Sequence, residues 1–437
     1  MSPTFTALRN RNYRLYATGG VVSNTGTWMQ RVAQDWLVLQ LSGHNGVALG
    51  ITTGLQFLPM LVLAPFAGTI ADRYPKRNVL MVTQTWMATM GAILGVLDLT
   101  GVVQVWHVYL LALMFGIGAS FDAPARQSFV IEMVGREDLT NAVGLNSASF
   151  NLGRVVGPSL AGFLIVLVGT APVFLINAAS FLAIIFALTK MRVADLRPVP
   201  RTPRGPGQIR EGARYLWGRP DLMMILVVVF FVGTFGLNFQ MTSALMATQV
   251  FHKGAGEYGV LGSVLAIGSL SGALIAARRA RPRLRLVVGG ALVFGIIEIC
   301  AGLMPTYLSF MALLIPLGLA QMTMLNSANS TMQLAVDPMM RGRVMALYMA
   351  VLGGGTPIGA PIIGWLAQTF GARWGLLAGG IISALAAIIA GLVLARREGV
   401  VLRDELQIAW ASWLHEDRDD PAIEVEVEEA GERVQQA

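Results

Sequence analysis

Arg31 and Asp35 stand four residues apart in WMQRVAQDWLVLQL, residues 28–41. That spacing puts both side chains on one face of a helix, within reach of each other. A carboxylate whose arginine neighbour approaches and withdraws is a device for binding and releasing a proton, so Asp35, Arg31 and a third charge, Arg154, are read as the proton-coupling set. Arg154 is expected to reach Asp35 or a substrate, because a guanidinium inside an apolar segment needs a partner. Ser23, Thr27, Gln30 and Gln34 continue the polarity along one helical line, and Asn24, Trp28, Arg31 and Asp35 along the adjacent one. Such a stripe cannot face lipid, and it predicts the wall of a cavity. A purely structural ion pair joining the first and fifth segments is the rival reading.

The remaining titratable groups narrow the chemistry. Of the 25 Asp and Glu, only Asp35 and Glu298 fall well inside apolar segments, while His44, His107, His252 and His415 sit in loops, at segment ends or in the tail. No Ser-His pair, metal-ligand cluster or phosphate-binding glycine loop stands out, so no enzyme activity, metal, cofactor or direct ATP drive is expected. Glu298 shares a helical face with Ala291, Gly295 and Gly302, which points it into a tight helix contact as a neutral carboxyl hydrogen-bonded to a neighbour. Asn238, Gln240, Gln321, Asn326 and Asn329 are uncharged polar groups in the C-terminal segments. Together with Asn24, Trp28, Gln30 and Gln34 they predict a greasy cavity with scattered hydrogen-bonding groups, suited to amphipathic small molecules.

The elements that must hold these residues follow from composition. The 437 residues are 54% hydrophobic and 13% charged, about half the charge of a soluble domain. A membrane span needs about 20 apolar residues. Twelve windows qualify: 13–41, 47–70, 78–100, 105–124, 139–167, 171–191, 221–249, 257–277, 285–304, 306–330, 343–369 and 374–395. Their apolar runs are continuous rather than alternating, which predicts an all-α bundle and not a barrel. The polar, basic start lacks the pattern of a cleavable signal, and the single cysteine, Cys300, excludes an internal disulfide. Apart from Lys253 and Arg373, every loop Lys or Arg up to Arg397 falls on the side of the N-terminus, so both termini are expected in the cytoplasm. The basic balance is this asymmetry; no nucleic-acid partner is implied.

Residues 192–220, rich in Pro, Gly and Arg, divide the spans six and six. The expected organisation is an N-terminal half (1–191), a cytoplasmic linker (192–220), a C-terminal half (221–397) and an acidic tail (398–437). The linker has room for a short helix at Ile209, Ala213 and Leu216 on the inner leaflet, with a solvated loop as the alternative. In the tail, Leu402, Leu406, Trp410 and Trp413 form a stripe suited to a membrane surface. A shift of 202 residues carries Gly153, Gly157, Gly162 and Gly169 onto Gly355, Gly359, Gly364 and Gly371, which points to an internal repeat of the kind that places a transporter site between two rocking halves.

Two motifs carry a resemblance. GTIADRYPKR, residues 68–77, resembles the loop signature of the major facilitator superfamily through Gly68, Asp72, Arg73, Lys76 and Arg77, with Pro75 where the family usually has Gly. GRVVGPSLAG is similar to that superfamily's antiporter motif through Gly153, Gly157, Pro158 and Gly162, with Ala161 replacing one Gly. With FDAPARQ, REDLTNAVGLNS and RGRVMALY, these stretches resemble the drug and siderophore exporter branch, the transmembrane secretion effectors, over about residues 5 to 397. The fourth span lacks the Arg that the family places before Gly116 or Gly118, and the second copy of the loop motif has lost its acid.

The resemblance implies a twelve-helix fold of two pseudo-symmetric six-helix halves. It implies an exporter in the cell membrane, exchanging a small amphipathic substrate for protons. Export of an anionic metabolite or siderophore is the alternative within transport, and a non-transporting receptor or scaffold the alternative outside it. At the inner end, Asp72 is expected to latch the second span to the start of the eleventh, near Arg341 and Arg343, with Asp122 joining Lys76 or Arg77.

Overall fold

The apolar windows fold into helices long enough to cross a bilayer. The computed structural model describes residues 3–135, 137–197, 208–277, 284–337 and 339–398. After a short 3-10 stretch at Pro3–Arg9, the first half comprises α1 (Arg11–Leu41), α2 (Gly46–Arg73), α3 (Lys76–Leu99), α4 (Val105–Val134), α5 (Leu139–Val168) and α6 (Thr170–Lys190). The linker contributes α7 (Gln208–Trp217). In the second half the seventh span is broken: α8 (Pro220–Phe231), a π-helical stretch Val232–Gly236, α9 (Phe239–Leu245) and a second π stretch Met246–Val250. Then come α10 (Ala255–Ala277), α11 (Leu284–Leu303), α12 (Tyr307–Ala335), α13 (Arg341–Gly354), α14 (Thr356–Phe370) and α15 (Ala372–Glu398). Among the described residues eleven spans meet the length and hydropathy of a membrane helix, with α13 and α14 forming one of them. The twelfth is α1, whose polar stripe lowers its hydropathy.

Local signals set the boundaries. The Asn45 side chain accepts from the amides of Val47 and Ala48 at the start of α2, and Thr306 and Ser309 form a capping box on α12. Gly169 and Gly371 end α5 and α14 at φ 82° and 101°, where a Cβ would be strained.

The described residues up to Ile388 form one compact unit, and the last residues of α15, 389–398, fall outside it. Within the compact unit, α1 packs on α5 and α6, and α2 on α4. The N-terminal half carries a buried cluster of Tyr13, Tyr16, Leu80, Phe129, Met133 and Leu188. Two hydrogen bonds tie the chain start to it: Asn10 Nδ2 donates to the Met133 carbonyl (2.6 Å) and Tyr13 Oη to the Ala142 carbonyl (2.7 Å).

Between the halves, α2 packs on α14 and α5 on α10. These contacts rest on small residues, as lipid demands. A Cβ at Gly50 would lie 2.5 Å from the Ala360 carbonyl, and one at Gly162 would lie 2.6 Å from the Ala255 carbonyl. Both contacts are toward the end opposite the basic loops. There too Gly46 N donates to Gln368 Oε1 (2.7 Å) and Gln249 Nε2 to the His44 carbonyl (2.6 Å).

The linker helix is present and packs on α13. Gly212 approaches Arg343 and Leu347, Glu211 pairs with Arg343 at 2.8 Å, and Tyr215 Oη donates to Asp337 at 3.3 Å. The tail stripe of Leu402, Leu406, Trp410 and Trp413, the side chain of Ile209 and the side chain of Asp72 lie outside what is described.

Candidate functional site

Helices α1, α2 and α5 face the broken seventh span, α10 and α12 around a cavity of about 200 Å³. Its wall includes Trp28, Arg31, Asp35, Gln56, Phe57, Arg154, Asn238, Gln240, Tyr258 and Gln321. The polar stripe on α1 thus faces the interior, as its composition requires.

Asp35 is buried, with 6% exposure. Its Oδ2 accepts from Tyr258 Oη at 2.8 Å and from Gln240 Nε2 at 2.8 Å. Both donors belong to the second half, so the carboxylate joins the halves across the cavity. Tyr258 is fixed in turn: its ring stacks on Trp36 at 6.4 Å, and its hydroxyl lies 3.3 Å from the Gln240 carbonyl.

The arginines are arranged otherwise than expected. Arg154 does not pair with Asp35. Its guanidinium lies 5.8 Å from the centroid of Trp28, and that of Arg31 lies 4.6 Å from the same ring and 5.5 Å from Phe57. Among the described residues neither arginine pairs with a carboxylate at salt-bridge distance, and Arg31 Nε has no hydrogen-bond partner. Asp35 is held instead by two neutral donors from the second half, both on Oδ2. What remains is a cationic wall with two guanidiniums beside one aromatic ring, an arrangement that favours cations on π faces and leaves N–H donors available to an anion.

Other expected wall residues divide. Asn238, Gln240 and Gln321 line the cavity; Asn24, Gln30 and Asn326 do not. Asn24 donates to Ser149 Oγ (3.1 Å) between α1 and α5, and Gln30 accepts from Asn177 of α6 (2.5 Å). Gln34 stands behind the wall, donating to Gln56 Oε1 at 2.9 Å. Asn329 accepts from Gln333 (3.0 Å) on its own helix. Sequence reasoning missed Tyr258, Gln56 and Phe57. Tyr258 stands near the start of a span, a place where tyrosines are common at the membrane interface whatever their role.

At the basic end the expected cluster is rearranged. Asp122 joins neither Lys76 nor Arg77. It accepts from Arg126 (2.9 Å), Thr83 (2.9 Å) and Gln84 (2.6 Å), all within reach of its own helix and α3. Lys76 pairs with Glu132 at 2.6 Å, and Arg77 Nε donates to the Leu188 carbonyl at 2.7 Å. An i, i+4 arginine has less to give up on ordering than a side chain from another loop, which explains the preference. Arg73 lies 5.9 Å from the Tyr74 ring, Arg341 is exposed, and Gly68 lies in the last turns of α2.

The glycines of the antiporter-like motif serve two partners. Gly153 and Gly157 admit the backbone of α1 at Asn24 and Thr25, about where any Cβ would fall. Pro158 and Gly162 meet α10 at Gly259, Gly262 and Ala255. In the second half, Gly355 and Gly359 press on Thr234 of the seventh span, and Gly364 on Gly46 and Gly50 of α2. The repeat seen at a shift of 202 residues is therefore a repeat of contacts.

Glu298 is buried among small residues as expected, with Gly295 against Gly380 and Ala384. The expected hydrogen bond is missing: its Oε2 has no partner among the described residues.

Residues 2–418 match the family model described as transmembrane secretion effector. The multidrug efflux pump Tap of Mycolicibacterium fortuitum is 29% identical over 364 residues, 80% of this chain and 88% of that protein. The enterobactin exporter EntS of Citrobacter koseri is 26% identical, over 82% of this chain and 84% of that one. A bacterial homologue of the human lysosomal transporter Spinster, solved in an inward-facing and unoccupied conformation, superimposes with a TM-score of 0.71 at 16% identity, covering 90% of this chain and 97% of its own.

Proposed function

Because the chain belongs to the transmembrane secretion effector family of the major facilitator superfamily, a family of multi-pass membrane transporters, we propose that it exports amphipathic small molecules by proton antiport through alternating access. The observation that carries this reading is the Asp35 carboxylate in the cavity wall, hydrogen-bonded to Tyr258 and Gln240 of the opposite half.

With the basic loops in the cytoplasm, the glycine contacts of α2 with α14 and of α5 with α10 seal the outer side. In that state the two donors stabilise Asp35 as a carboxylate. When the halves part on the outer side, Tyr258 and Gln240 leave with the second half, and a proton from outside takes their place. Closure returns the donors and displaces the proton toward the cytoplasm. Each cycle moves one proton inward, the direction that drives substrate outward. The present cavity of about 200 Å³ is smaller than the roughly 300–1,000 Å³ of a drug-sized site, so a substrate enters a wider state than this one. At the basic end, Gly68, Asp72, Arg73, Lys76, Arg77, Arg341 and Arg343 serve the inner gate.

A second reading concerns charge. Arg31 and Arg154 both lie beside the ring of Trp28 and lack carboxylate partners among the described residues, which supports an amphipathic substrate with an anionic group. Transport of labelled anionic, neutral and cationic amphiphiles into inverted vesicles, with and without an imposed pH gradient, tests both readings. Gradient-dependent accumulation is expected, strongest for anions, and Asp35→Asn should abolish it while leaving downhill exchange measurable. No accumulation of any class would remove the transport reading, and an Asp35→Asn protein that still concentrates substrate would remove Asp35 as proton carrier.

A further inference from the structure

The seventh span separates the cavity from a second polar site. Behind the π stretch Val232–Gly236, Glu298 of α11 is 2% exposed and Ser383 of α15 is fully buried. Glu298 Oε2 and Ser383 Oγ both lack hydrogen-bond partners among the described residues. They bracket one glycine: a Cβ at Gly236 would lie 2.7 Å from Ser383 Oγ and 3.2 Å from Glu298 Oε2. On the other side, a Cβ at Gly379 would lie 2.7 Å from Glu298 Oε1 and 2.7 Å from the Phe235 carbonyl. A side chain at Gly379 would crowd the carboxyl directly and one at Gly236 would crowd Ser383 and Phe294 beside it, so the backbone is shaped around this pocket.

We propose that Glu298 is a second exchangeable proton site, reached from the cavity through Asn238 and the bulged backbone. Asn238 lines the cavity, and its Nδ2 donates to the carbonyls of Thr234 (2.8 Å) and Phe235 (3.2 Å) while its Oδ1 has no partner among the described residues. Polar atoms thus run from the cavity through Asn238 and the Phe235 carbonyl to Glu298. A π stretch inside a span is a local widening that often marks a functional site, and irregular backbone within a membrane is tolerated where it serves a cavity. A carboxyl kept only for packing would be expected to spend its O–H on a neighbour. Here both the acid and the nearest hydroxyl are left unspent.

One carboxylate, one hydroxyl and one carbonyl fall short of the six or so oxygens that a hard metal cation gathers, so the ligand is a proton. Binding forms an O–H bond on Glu298; release restores the carboxylate and returns the proton to the cavity. Around Gly236 the carboxyl meets Phe294 of its own helix and Ser383 of α15, and Gly379 lies against its other oxygen. No charged neighbour acts on it among the described residues. Arg373, at the start of α15, spends its guanidinium on the carbonyls of Gly302 and Met304 (both 2.8 Å).

The test reads protonation in the purified full chain, so it stands or falls apart from the export reading. Infrared difference spectra between pH steps from roughly 5 to 10 should show a carboxylic-acid carbonyl band that titrates. The band is expected to survive Asp35→Asn and to vanish in Glu298→Gln. Ser383→Ala keeps the carboxyl and should move the midpoint by about one pH unit, a tenfold change in proton affinity; it carries the test if Glu298→Gln fails to fold. A band that never titrates, or a midpoint indifferent to Ser383→Ala, would overturn the proposal. A midpoint that moves when choline replaces sodium would overturn the proton as ligand.

Discussion

Replacing Tyr258 with Phe deletes one oxygen, the donor to Asp35 Oδ2 at 2.8 Å. The ring remains in place, 2% exposed and stacked on Trp36, so the packing is preserved and the loss is confined to one hydrogen bond. Bonds to a charged group contribute about 1.5 to 3 kcal/mol. Because donor and acceptor lie on opposite halves, that energy favours the state with the outer side closed and is absent from the state with it open. At about 1.4 kcal/mol per factor of ten, the closed-to-open ratio should fall roughly ten- to a hundredfold. Spin labels at Gln40, exposed at the end of α1, and at Phe370, 58% exposed at the end of α14, report the separation of the outer ends. Cys300 is the single cysteine, and it is exposed, so labelling requires Cys300→Ser. Pulsed electron-resonance distances should gain a longer population in Tyr258→Phe. An unchanged distribution would refute the idea that this bond holds the halves together.

Gly50→Ala places a methyl 2.5 Å from the Ala360 carbonyl and 3.1 Å from Pro361 Cα; overpacking of about 1–3 kcal/mol should lengthen the same label distance without loss of folded protein. For Arg154→Ala and Asp35→Ala, thermal stabilities should add to within about 0.5 kcal/mol, since Asp35 is held by Tyr258 and Gln240; a strong rescue in the double variant would show a pairing absent from this geometry. Lys76→Met strands Glu132, whose side chain is only 10% exposed. A loss of about 3 kcal/mol is expected, and adding Glu132→Gln should recover most of it in thermal melts; equal melts for all three proteins would dismiss the pair as decorative.

The twelve spans were legible because lipid leaves helices little freedom of composition; each window fell on helix, though α4 runs ten residues past its window and the seventh and eleventh spans are each broken into pieces. α1 carries the charged and polar stripe among them, and that stripe faces the cavity. The rotation of each helix was not legible. Gln30 and Asn24 belong to the same stripe as Asp35, yet Asn177 of α6 and Ser149 of α5 claim them. Nothing within α1 foretells that, because the claim is made by helices more than a hundred residues away. The same holds for Asp35, whose partners lie 205 and 223 residues along the chain. Single residues announced the need for partners, and only the packing of the halves supplied them.

The doubled glycine contacts give α5 and the α13–α14 span a divided allegiance. Each lays one stretch of its glycine row on a helix of its own half and the next stretch on a helix of the other half. A damaged first stretch weakens the body to which the helix belongs, whereas a damaged second stretch loosens only its grip on the neighbour. Position along a single helix therefore sorts lesions into those that lower the amount of protein and those that alter its resting posture. Natural variation in the second stretch is free to tune how firmly the two halves hold each other without endangering the fold that carries it.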